Sequence, residues 1–118
     1  MDGGEWFTLE LPAPPSVNRF TKKLGNKSPE VIRWANIADK YLYLKRHYLR
    51  LSCEFELSIT WSASNFKKSD IDNRVKPLLD WLQRVEVISN DKLCRKLTVE
   101  WGWAPEGCLL KIRKWQNA

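Results

Sequence analysis

The sequence predicts a single α/β (α+β) domain over residues 1–118, built as a mixed β-sheet covered by helices. Three observations carry that prediction. The length of 118 residues is enough for one self-sufficient core. Hydrophobic spacing switches between a strand period and a helix period along the chain. The resulting order, β–α–β–α–β–β, suits one sheet with helices laid against it.

The first strand runs from Trp6 to Leu11, with Phe7, Leu9 and Leu11 on one face. Pro12, Pro14 and Pro15 end it, because proline cannot donate to a sheet ladder. A stiff extended loop follows, over Ala13-Pro14-Pro15-Ser16-Val17-Asn18-Arg19-Phe20, and leads into polar residues that include Lys22, Lys23 and Lys27. Ser28-Pro29-Glu30 opens a helix with a capping hydroxyl, then a proline whose missing N–H does no harm there. Its stripe of Val31, Trp34, Ala35, Ala38, Tyr41, Leu42 and Leu49 carries the helical period to about Arg50.

Strict alternation from Cys53 to Trp61 is the clearest strand signal. Residues 62–69 are polar and form a loop that carries Lys67 and Lys68. A short helix is expected over Asn73 to Arg84, with Val75, Leu78, Leu79 and Leu82 buried and Pro77 making the first turn irregular. A strand from Leu93 to Trp101, a turn at Ala104-Pro105-Glu106-Gly107 and a strand from Cys108 to Trp115 complete the order.

Composition narrows the function. Hydrophobic residues make up 43% and charged residues 29%, a globular balance. No apolar run is long enough to cross a bilayer, and the acidic start Met1-Asp2-Gly3-Gly4-Glu5 lacks the apolar core of a signal peptide. The expected location is therefore cytoplasmic, with no membrane partner. Cys53, Cys94 and Cys108 form no CxxC pair, which argues against zinc and a disulfide framework and for buried reduced thiols. The sole histidine, His47, excludes a His-rich metal site. A net charge of +6 and a pI of about 9.4 favour a polyanionic partner. Of the seven tryptophans most are expected in the core, and some could stack on bases.

The densest site signal is Ser69-Asp70-Ile71-Asp72-Asn73-Arg74-Val75-Lys76. Carboxylates at i and i+2 project to one side of an extended segment and can share a cation. Lys76, four residues beyond Asp72, winds towards the same side in a helix. Carboxylates without His or Cys are hard oxygen ligands that select Mg²⁺ or Mn²⁺. From the octapeptide alone, helix capping by Asp70 or Asp72 stands level with metal binding. Asn90-Asp91, placed before a strand, could bring a third carboxylate or serve only as a turn.

Taken in order, Leu11-Pro12-Ala13-Pro14-Pro15-Ser16-Val17-Asn18-Arg19-Phe20, Asp70-Ile71-Asp72-Asn73 with Lys76, Leu79 and Asp80, and Asn90-Asp91 resemble the RusA family of crossover-junction endodeoxyribonucleases. The resemblance spans nearly the whole chain in order and spacing. It implies a RusA-like fold, metal-binding carboxylates at Asp70, Asp72 and Asp91, and an essential basic residue at Lys76, which would stabilise charge on the phosphate or orient the water. It further implies a small basic homodimer that nicks four-way DNA (Holliday) junctions with Mg²⁺, a type of enzyme often carried by prophages. Two positions depart: Asn90 stands where the family often has aspartate, and Ser69 where it often has arginine. Phosphate contacts are expected from Arg19, Lys22, Lys23, Lys27, Lys67, Lys68, Asn73 and Arg74, giving affinity rather than sequence choice. Two other readings use the same features: a non-catalytic, structure-selective DNA-binding protein of the same fold, and a metal-dependent ribonuclease acting on single strands.

Overall fold

The computed structural model describes residues 5–16, 29–45, 49–65 and 70–116. Four strands and two helices follow in the expected order: β1 (Phe7–Leu11), α1 (Pro29–Tyr43), β2 (Phe55–Ser62), α2 (Val75–Arg84), β3 (Cys94–Gly102) and β4 (Cys108–Lys114). They form a mixed sheet ordered β1-β4-β2-β3. β4 runs antiparallel to both β1 and β2, while β2 and β3 are parallel and joined through α2. A parallel pair cannot be closed by a hairpin, so the crossover helix is required.

Alternation fixes the buried face. Leu57, Ile59 and Trp61 of β2 stand in register with Ile112, Leu110 and Cys108 of β4, and all six are at most 2% exposed. Leu9 and Leu11 extend this layer along β1. Against it lie Trp34, Ala38 and Leu42 of α1 and Leu78, Trp81 and Leu82 of α2, the i, i+3/i+4 stripes of two amphipathic helices. The rings of Trp34 and Trp81 meet edge to face, with centroids 5.6 Å apart. The opposite sheet face is polar and carries Glu56, Ser58, Thr60, Lys96, Thr98, Glu100, Lys111 and Arg113.

Two expectations need correction. α1 ends at Tyr43 rather than near Arg50, because the chain leaves the helix to bond the segment after α2. The Leu51 N–H donates to Val87 O at 2.8 Å and the Ser89 N–H to Leu51 O at 2.9 Å, while Arg50 pairs with Glu86 at 2.7 Å. The cysteines are all free thiols, as expected, but only Cys108 is buried. Burial pushes its thiol up to about 12, whereas Cys53 is exposed and Cys94 half-buried. Among the described residues, no helix is long and apolar enough to cross a membrane.

The β3–β4 turn needs a glycine. Gly107 has φ +120°, and a Cβ placed there would sit 2.9 Å from the backbone nitrogen of Ala13. The turn therefore closes directly onto the proline-rich loop. Replacing Gly107 with Ala should cost about 1–3 kcal/mol of stability from backbone strain alone, seen as a lower urea midpoint with an unchanged slope.

Candidate functional site

Three segments distant in sequence are bonded into one region. The proline-rich loop, residues 12–16, is held twice. The buried Trp34 indole donates from Nε1 to Pro12 O at 2.7 Å, and Arg74 Nη1 donates to Pro14 O at 2.9 Å. The acidic turn is held from beneath, where Trp61 Nε1 donates to Ile71 O at 2.8 Å. The Asn90-Asp91 turn is held from α2, where Gln83 Oε1 accepts the Asp91 N–H at 3.0 Å.

Residues 71–74 are turns rather than a strand end. The Asn73 N–H bonds Asp70 O at 3.3 Å and the Val75 N–H bonds Asp72 O at 3.2 Å, so the backbone winds straight into α2. The same-side argument for Asp70 and Asp72 assumed extended backbone, and that premise does not hold here. Helix capping is not their role either: Arg74 occupies the N-cap of α2, and its side chain makes no cap hydrogen bond. Both carboxylates are exposed at the mouth of the helix. Pro77 falls in the first turn of α2, where its missing N–H leaves no intrahelical bond unmade.

Lys76, Asp80 and Gln83 occupy i, i+4 and i+7 of α2 and so share one face. Lys76 Nζ lies 2.9 Å from Asp91 Oδ2 and 3.1 Å from Asp80 Oδ1. Bonds first to Asp91 and then to Asp80 hold the ammonium above the usual lysine range, against a smaller opposing effect of burial. Lys76 is therefore a donor and a fixed positive charge at neutral pH, and cannot act as a base there. Asn90 caps the short 3₁₀ turn Asp91–Leu93, accepting the Lys92 N–H on Oδ1 at 2.8 Å. Asparagine performs that task as well as aspartate, which gives a local reason for the departure at position 90.

The structure thus brings Lys76, Asp80 and Asp91 together. It does not gather Asp70, Asp72 and Asp91 into a ligand cluster: among the described residues, no three His, Cys, Asp or Glu side chains form a group able to hold a metal. The donor chemistry, carboxylate oxygen throughout, still fits a hard divalent ion. Arg74 is half-buried, its Nε has no partner among the described residues, and burial lowers the pKa of its guanidinium. Asn73 is half-buried in the turn. Arg19, Lys22, Lys23, Lys27, Lys67 and Lys68, expected to contact phosphates, lie outside the described residues, as does His47. Gln83 and Trp61 were missed as site residues. The helical spacing of Gln83 from Lys76 and Asp80 was the available signal for the first; nothing local marked the second.

Two outcomes follow. In Gln83→Ala the Asp91 amide should exchange with solvent faster than in the wild type, read by hydrogen exchange. The cost in stability should be about 1 kcal/mol, and Gln83→Glu, which keeps the acceptor, should restore protection. For Lys76 the folded pKa is raised, so its ion pairs stabilise the fold below the lysine range and are lost as pH climbs past it. The stability gap between wild type and Lys76→Met should therefore persist at neutral pH and close only above the ordinary value of 10.5. A gap that closes below pH 9 would contradict this assignment.

No family model matches the chain. It is similar to the crossover junction endodeoxyribonuclease RusA of Aquifex aeolicus (strain VF5), with 32% identity over 126 residues, covering 99% of this chain and 96% of that protein.

Proposed function

The chain belongs to the RusA family of crossover junction endodeoxyribonucleases, and from that premise we propose that it is a Mg²⁺-dependent endonuclease resolving four-way DNA junctions by paired nicks. The observation that carries this reading is the bonding of the three motif segments to one another. Arg74 joins the proline-rich loop to the acidic turn, and Lys76 joins the helix after that turn to Asp91.

Asp70, Asp72 and Asp91 would hold the metal, with Mn²⁺ as an alternative to Mg²⁺. Such an ion supplies Lewis-acid charge at a scissile phosphate and acidifies a bound water. The chain's own residues do the rest. Asp91 would serve as a ligand through Oδ1 while Oδ2 keeps its bond to Lys76, and Asp80 one helical turn away holds the same ammonium in place. The third N–H of Lys76 would then be offered to a phosphate oxygen, where negative charge grows during cleavage. Gln83 fixes the backbone at Asp91 throughout.

Arg19, Lys22, Lys23, Lys27, Lys67 and Lys68 would track the phosphates on either side, with Asn73 and Arg74 at the mouth of the site. A four-way junction has two-fold symmetry, so the working unit would be a homodimer with one site per nicked strand. The cytoplasm, where DNA is accessible, is the proposed location.

A second reading, a non-catalytic structure-selective DNA-binding protein, is favoured by the lack of a three-ligand group among the described residues. One experiment separates the two. On a synthetic four-way junction, nicking should require Mg²⁺ or Mn²⁺ and stop with chelator. Asp70→Asn should lower it by more than about a hundredfold, beyond the loss typical of a residue that only supports a metal ligand. Junction affinity should stay equal or tighten, because a negative charge near phosphate is removed. Binding without nicking at any metal concentration would establish the second reading.

A further inference from the structure

β3 closes one edge of the sheet, and among the described residues no strand lies beyond it. Its outer backbone groups are a template for another strand. Its exposed Arg95, Lys96 and Glu100 discourage a strand of arbitrary sequence, so a partner strand must match their charges. Leu97 is 45% exposed although it points to the apolar face, in register with the fully buried Leu57, and Val99 beside it is half-buried. On the other face Lys96, Thr98 and Glu100 follow one another, all exposed.

We infer that this edge pairs antiparallel with β3 of a second copy, Thr98 opposite Thr98, joining two four-stranded sheets into one. The inference deepens the homodimer proposed above and rests on it. A two-fold axis between antiparallel edge strands stands normal to the sheet and keeps each residue on its own face. One residue must therefore lie opposite itself. With Thr98 on the axis, Lys96 of each copy faces Glu100 of the other, and Leu97 faces Val99. With Leu97 or Val99 on the axis, no charge meets its opposite.

The favoured register also continues a pattern already present inside one chain. Arg113 of β4 bonds Glu56 of β2 at 3.1 Å, and Lys96 lies 3.8 Å from the same carboxylate. Glu100 of the second copy extends this row to four strands of alternating sign. On the apolar face, Leu97 and Val99 of both copies would carry the core across the axis and cover the exposed part of Leu97. The partner is thus a second copy of this chain, selected by self-complementary charge.

Sedimentation of charge variants tests the register directly. Glu100→Lys leaves only Lys96 facing lysine, at two positions per dimer. Lys96→Glu does the same with acid. Either change should raise the dimer dissociation constant about tenfold or more, since two opposed pairs change sign together. An equimolar mixture of the two variants should recover the dimer, and so should the double variant Lys96→Glu/Glu100→Lys. Glu100 stands in register with Thr60 and has no charged partner there, so Glu100→Lys isolates the interface if Lys96→Glu disturbs Glu56. Variants that dimerise like the wild type, or a mixture that fails to recover the dimer, would overturn the inference. A wild type that is monomeric both free and on junction DNA would overturn it as well. Junction nicking by the wild type is read separately: metal-dependent nicking by a dimer indifferent to these charges would leave the proposed activity standing and discard only this edge.

Discussion

A buried indole must find an acceptor for its N–H, and this requirement ties the site to the core. Trp34, Trp61 and Trp81 are between 2% and 6% exposed, and an unmade bond at any of them would cost about 1–3 kcal/mol. None bonds within its own element. Trp34 reaches Pro12 O in the proline-rich loop, Trp61 reaches Ile71 O in the acidic turn, and Trp81 reaches Asp39 Oδ1 on α1 at 2.8 Å. Asp39 also receives Arg84, so the third contact clamps the ends of the two helices together. The same rings that fill the core therefore aim two loops at the site.

The electrostatic arrangement follows from that placement. Four carboxylates, Asp70, Asp72, Asp80 and Asp91, surround the start of α2 or its facing turn, and Lys76 is the cation bonded to two of them. A chain of net charge +6 thus carries four carboxylates on the segments around α2, and among the described residues no three of them form one group.

Much of the fold was legible because it rests on periodicity. The alternation of Phe55 to Trp61 and the stripe of Val31, Trp34, Ala38 and Leu42 are signals a core imposes directly on sequence. The end of α1 was not legible. Residues up to Leu49 keep a helical spacing, yet the backbone of Leu51 is worth more bonded to Val87 and Ser89, a choice made by partners nearly forty residues away. The site divides in the same way. Lys76 beside Asp80 follows from helix geometry, and Asp91 joins them only because a parallel crossover returns β3 next to β2. The hold of Trp61 on Ile71 leaves no trace in local pattern, since any carbonyl would satisfy it.

The pairing of the first and last strands has a mechanical consequence. Phe7, at the start of β1, stands opposite Ile112, near the end of β4, and Leu11 stands opposite Cys108. The two outermost strands of the described chain are thus antiparallel neighbours whose free ends lie side by side. A force pulling those ends apart acts along the hydrogen bonds and loads them one pair at a time, so β1 peels away as a zipper opens rather than shearing as a block. β4 is bonded on its other edge to β2 as far as Phe55 opposite Lys114, and the Trp115 N–H donates to Glu54 O at 3.0 Å, so the sheet holds β4 while β1 is the strand that leaves.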